Sequence, residues 1–142
     1  MPGPFASEEL FPVVVKYAEV KVPKSGLMSI VVIRTDEMAQ RYKDAVREIN
    51  TQWVTPNWTE NNDLLRSSTR WDREAGERVL DWTTYRAMVL EKFMRTWDIK
   101  DDKGVGVPCT KEYINKLDPN IGAALAEGFL AKISVSERDL GN

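Results

Sequence analysis

The chain contains no histidine and a single cysteine, Cys109. The first absence removes the commonest general base, the commonest transition-metal ligand and every Ser-His or Cys-His nucleophile pair. The second excludes an intrachain disulfide and a structural zinc site built from several thiolates. No apolar run approaches the ~18 residues that crossing a bilayer requires. The opening Met1-Pro2-Gly3-Pro4-Phe5-Ala6 lacks the positive stretch and apolar core of a signal peptide. A reduced cytosolic protein is therefore expected, and the Asn57-Trp58-Thr59 sequon carries no weight without secretion. Neither charge is in excess. Twenty Lys and Arg stand against 22 Asp and Glu, a net charge of −2, and the two signs alternate. That leaves no general electrostatic reason to bind nucleic acid or an anionic membrane. A phosphate-cradling glycine loop is also missing: Lys103-Gly104-Val105-Gly106 has neither the spacing nor the following lysine.

What is present suits an ordinary globular domain. The 142 residues are enough to bury a real core, and 42% hydrophobic against 30% charged residues argues against disorder or a fibrous repeat. Residues 1–12, with three prolines and a glycine, read as an irregular arm. Val13 to Val22 is β-branched and partly alternating, Pro23-Lys24-Ser25-Gly26 is turn chemistry, and Leu27 to Ile33 is a second β-rich run, so a hairpin is expected. Thr35 or Asp36 caps a helix running to about Asn50, with Met38, Tyr42, Ala45, Val46 and Ile49 as its apolar stripe. Residues 51–70, polar and rich in Asn and Thr, read as a long loop. From about Arg70 to Trp97 the pattern favours helix, with a break near Gly76 or Asp81 and Trp82, Tyr85, Val89 and Phe93 buried. Asp101-Asp102-Lys103-Gly104 is a tight turn, followed by Val105 to Pro108 as a short returning strand or an extended segment. Thr110 caps a short helix, and Asp118-Pro119 opens another in which Ile121, Leu125 and Phe129 recur every four residues. The expectation is an α+β chain: an N-terminal β-hairpin plus helix, then a mainly helical C-terminal part. A single domain would span 13–133, with a frayed tail at 134–142.

No catalytic, cofactor or metal constellation stands out. Asp98, Asp101 and Asp102 lack the alternating ligands of a calcium loop, because Lys100 and Lys103 intrude and Glu112 comes too early. A solvated turn explains them better. The acidic pairs Glu8-Glu9 and Glu74 with Glu77 are not arranged about any visible pocket, and the second pair reads as a helix surface. Cys109 reads as a small apolar residue. Of the five tryptophans, Trp82 and Trp97 fit the helical core pattern. Trp53 and Trp58 fall in the polar loop, where interface anchor and core residue stand as alternatives.

One segment carries a family resemblance. Val89 to Leu130 combines an apolar helix ending in Arg95-Thr96-Trp97-Asp98, the turn Asp101-Asp102-Lys103-Gly104 and the stretch Val107-Pro108-Cys109-Thr110. Leu117-Asp118-Pro119-Asn120-Ile121 and the Ala-rich Ala123 to Leu130 follow. In this it resembles the C-terminal part of tail assembly chaperones from long-tailed, siphovirus-like bacteriophages. The resemblance covers about a third of the chain and implies a non-enzymatic role, with no catalytic residues to carry over. Such chaperones coat the long, aggregation-prone tape measure protein in the host cytoplasm, recruit tail-tube subunits and leave the particle once the tube polymerises. In many phages a ribosomal frameshift yields a longer form. The role asks for a reversible surface with apolar anchors, placed here at Trp53, Trp58, Leu125 and Phe129, and for a homo-oligomer without nucleic acid or membrane partners. The alternative is a structural virion protein, such as a head–tail connector, tail terminator or capsid decoration protein. An enzyme is disfavoured because acid–base catalysis would have to run without histidine.

Overall fold

The computed structural model describes residues 3–134. Strands β1 (Phe11–Lys21) and β2 (Met28–Ile33) form the expected antiparallel hairpin. Its turn closes through Gly26, whose φ of +71° favours glycine, and through a 2.8 Å bond from the Val22 N–H to the Leu27 carbonyl. The hairpin does not stand alone. β3 (Val46–Trp53) pairs with the other side of β1, and β6 (Met94–Trp97) pairs with β3, giving an antiparallel sheet in the order β2-β1-β3-β6.

Alternation along β1 decides which face is core. Val13 and Val15 are buried between exposed Pro12, Val14 and Lys16. The register sets Val15 beside Ile49, Val13 beside Thr51 and Phe11 beside Trp53, so these side chains share one face. Helix α5 (Pro119–Ile133) lies on it through Ile121, Leu125 and Phe129. Helix α3 (Trp82–Phe93) adds Tyr85, Val89 and Phe93. Phe129 is the centre: its ring stacks on Trp53 at 4.9 Å, Phe93 at 5.6 Å and Phe11 at 5.8 Å. A buried side chain of this size stabilises the fold by about 1.5–3 kcal/mol. α5 can come this close because Gly128 faces Val13, where a Cβ would stand 2.5 Å from the valine Cγ1.

The expected helix to Asn50 is corrected. α1 spans only Asp36–Tyr42, capped by the Thr35 hydroxyl, which accepts from the Met38 N–H at 3.2 Å. Lys43 then takes φ +33°, a 3₁₀ turn follows at Lys43–Ala45, and the chain enters β3. Val46 and Ile49 fit helical spacing with Met38 and Tyr42, but Ile49, Thr51 and Trp53 also alternate as buried strand positions. The alternation is hidden because its middle member is polar.

Residues 51–70 are not a loop either. Beyond the end of β3 they hold helix α2 (Trp58–Ser67). Asn57 and Glu60 cap it reciprocally: the Asn57 side chain accepts from the Glu60 N–H at 2.9 Å, and the Asn57 N–H donates to the Glu60 carboxylate at 3.1 Å.

The mainly helical C-terminal part is likewise overturned. β4 (Thr69–Asp72) and β5 (Glu77–Leu80) make a second, two-stranded sheet where helix was expected. Asp72 builds the reversal by accepting from the Glu74 and Ala75 N–H groups, and Gly76 supplies φ +66°. Glu74 therefore lies in a hairpin turn and Glu77 on a strand, not on a helix surface. α3 starts at Trp82 under an Asp81 cap and stops at Phe93, because Met94 to Trp97 find an open edge on β3. After the Asp101–Gly104 turn the chain returns through a Lys100–Gly106 bridge, and α4 (Lys111–Ile114) precedes α5. The expected arm, residues 1–12, reaches only to Leu10, since β1 already begins at Phe11. Of the expected tail only Ser134, which caps α5, lies within the described residues.

Candidate partner-binding surface

The four sequence-derived anchors separate sharply by burial. Trp53, Leu125 and Phe129 are fully buried, while Trp58 is 81% exposed. The first three are corrected to core residues: they fill the sheet–helix interface and present nothing to a partner in this fold. Of the two alternatives for Trp53 the structure has the core: its neighbours in sequence are polar, yet its indole N–H is satisfied internally by the Thr51 hydroxyl at 2.6 Å. Leu125 and Phe129 lie on the sheet-facing side of α5.

Trp58 is exposed for a local reason. It is the first residue of α2, directly after the Asn57 cap, where the side chain leaves the helix without a neighbouring turn to cover it. Beside it run residues 3–6 of the N-terminal segment, with Phe5 77% exposed. Together with Pro56, Asn61 and Ile133 at the end of α5, they border a shallow groove of about 470 Å³. None of the described side chains in its wall is ionisable, so the groove offers apolar rings and amide groups and no acid–base chemistry. Phe5 and Ile133 escaped sequence reasoning because one lay in the irregular arm and the other at the very end of a helix.

Trp82 contradicts the core pattern: it is 56% exposed and stands edge-on to Tyr85 at 5.5 Å. Trp71, to which the sequence assigns neither role, is 59% exposed. Trp97 is half-buried, and its indole N–H donates to the Val107 carbonyl at 2.6 Å, fastening the returning segment.

A second cavity, of about 300 Å³, opens between the sheet and the α4–α5 connection. Its apolar floor includes Ile49, Ile99 and Ile121, and several of its charged groups have structural duties. Arg47 reaches Glu19 at 4.0 Å, and Asp118 caps α5 by accepting from the Asn120 N–H at 2.8 Å. Asp98 accepts both the Asn50 backbone N–H at 2.9 Å and its side-chain amide at 2.8 Å. Asp101 is equally occupied, taking the Lys103 and Val105 N–H groups into its turn. Among the described residues no group of three or more His, Cys, Asp or Glu is arranged to hold a metal ion. Cys109 is half-buried, and burial raises its thiol pKa, which disfavours the thiolate.

Among the described residues no helix is long and apolar enough to cross a membrane. No family model, no curated protein and no solved structure matches this chain.

Proposed function

We propose that this chain is a non-enzymatic phage morphogenesis protein, a tail assembly chaperone that binds the tape measure protein and recruits tail-tube subunits in the host cytoplasm. The observation that carries the reading is the pair of large exposed rings, Trp58 and Phe5, lining one groove without ionisable walls. Exposed aromatic anchors of this kind supply a large share of binding energy in protein interfaces. They suit a coating role, in which apolar segments of a long client must be gripped and then released. The resemblance of Val89–Leu130 supplies the identity of the client.

The test compares mature virions with infected-cell lysate by quantitative mass spectrometry. Abundance in lysate with absence from particles is expected. Stoichiometric presence in particles would sink the chaperone reading and leave a connector, terminator or decoration protein. In parallel, co-purification of the tape measure protein should fall about tenfold or more with Trp58→Ala, an anchor-sized loss. Undiminished recovery would remove Trp58 from the binding surface.

A further inference from the structure

The sheet leaves several stretches of edge open, and the Phe11–Val15 overhang of β1 and the outer edges of β6 and β2 differ in how they are guarded. β1 overhangs β2 from Phe11 to Val15, but Pro12 there has no N–H to offer a new strand. β6 is only four residues long, carries exposed Arg95, and its pairing with β3 is interrupted by a register shift at Gln52/Trp53. Short length, charge and irregularity are the usual protections of an edge strand. β2 has none of them. Met28-Ser29-Ile30-Val31-Val32-Ile33 is uncharged, free of proline and paired with β1 over six consecutive residues without a bulge.

Nor does the following connection shield it. From β2 the chain must reach β3 on the far side of β1, and α1 makes that crossing over a sheet face, where Ala39 and Asp36 border a recess with Lys16 and Ile33. The one side-chain hydrogen bond to the β2 backbone among the described residues is a long one, from the Asn120 amide to the Ile30 carbonyl at 3.3 Å. A strand–strand ladder would displace it.

We propose that the β2 edge is the interface between two copies of this chain, paired antiparallel about a two-fold axis through the middle of the strand. Opposite residues of an antiparallel pair point to the same face, so the axis must pass through one residue. Placed at Val31 it sets Ser29 against Ile33 of the second copy and Ile30 against Val32, a neutral pairing that fuses two four-stranded sheets into one of eight. The flanks argue for a second copy over an unrelated strand. The turn before β2 carries Lys24, and the first turn of α1 after it carries Asp36 and Glu37. None of the three joins an ion pair among the described residues. Antiparallel self-pairing brings Lys24 of each copy to Asp36 and Glu37 of the other, twice per dimer.

A five-residue ladder is a small interface, so association is expected in the micromolar range. Sedimentation velocity of the full chain between ~5 and ~200 µM should show the 16.2 kDa monomer giving way to a dimer. Amide exchange across residues 29–33 should slow over the same range. Lys24→Glu, or Asp36→Lys with Glu37→Lys, should each weaken the dimer several-fold, and the triple variant should restore it. All three positions are exposed, and far-UV circular dichroism will confirm that α1 survives. A monomer at every concentration overturns the proposal and leaves the edge to an extended segment of another protein. A dimer indifferent to the charge changes, with unaltered exchange in β2, places the interface elsewhere and overturns it equally.

Discussion

The Trp53 indole N–H donates to the Thr51 hydroxyl, which donates in turn to the Val13 carbonyl, each bond 2.6 Å long. Two buried polar groups two residues apart on β3 thus satisfy each other and tie the strand to β1. Thr51→Val keeps the shape and removes the relay, leaving the indole N–H without a partner in the core. A loss of about 1–3 kcal/mol is expected by urea denaturation. Thr51→Ser, which keeps the hydroxyl, should lose less. Equal losses would show that volume, not the hydrogen bond, governs this site.

The two glycines of α5, Gly122 and Gly128, should respond oppositely to alanine. Gly128 faces the stiff, buried Val13 side chain, and a Cβ there collides at 2.5 Å. Gly128→Ala should cost about 1–3 kcal/mol through overpacking, more than the gain in helix propensity returns. Around Gly122 nothing lies within 4 Å of the corresponding Cβ, so Gly122→Ala should stabilise by about 0.5–1 kcal/mol. Thermal melts of the two variants, and of Gly128→Ala combined with Val13→Ala as relief, decide the matter.

Asp81 gives the α3 start a pH dependence. The backbone N–H of Thr84 foremost, then the Thr84 hydroxyl, the Thr83 N–H and the Arg70 charge, hold its carboxyl below the usual 3.8. With the folded pKa depressed, the stabilisation is complete above about pH 4 and disappears as pH falls through the folded value. Asp81→Asn keeps a capping oxygen without the charge and should flatten that part of the acid limb. An unchanged acid limb would show that the carboxylate contributes no linkage.

Cys109 should prove a sluggish thiol. Burial raises its pKa and shields the sulfur, so less thiolate is present at pH 8 and fewer collisions reach it. Reaction with a disulfide reagent should be several-fold slower in the native chain than in urea. Equal rates would mean that the 107–110 segment opens freely.

Elements whose signals are local were legible in advance. The β1–β2 hairpin followed from β-branched runs around Pro23–Gly26, and α5 from Asp118-Pro119 and the four-residue recurrence of Ile121, Leu125 and Phe129. The α2 start was also written locally, in Asn57 and Glu60, but the surrounding Asn and Thr residues obscured it. The candidate surface was half legible. Trp58 stood out as an aromatic in polar company, whereas Phe5 and Ile133 meet it only through folding.

By itself, the sequence excluded an intrachain disulfide, multi-thiolate zinc and histidine chemistry, because those need atoms the chain lacks. It also determined the hairpin and the last helix, where turn residues, caps and periodicity act over a few neighbours. Tertiary structure alone decided that Val46–Trp53 and Met94–Trp97 become strands. Each segment is compatible with helix on its own, and each is drawn into the sheet by an open edge supplied from distant sequence, β1 for one and β3 for the other. The same long-range pairing buried Trp53, whereas the exposure of Trp58 follows from its place at the start of α2. Burial of a strand residue depends on what packs opposite it, and no local pattern records that.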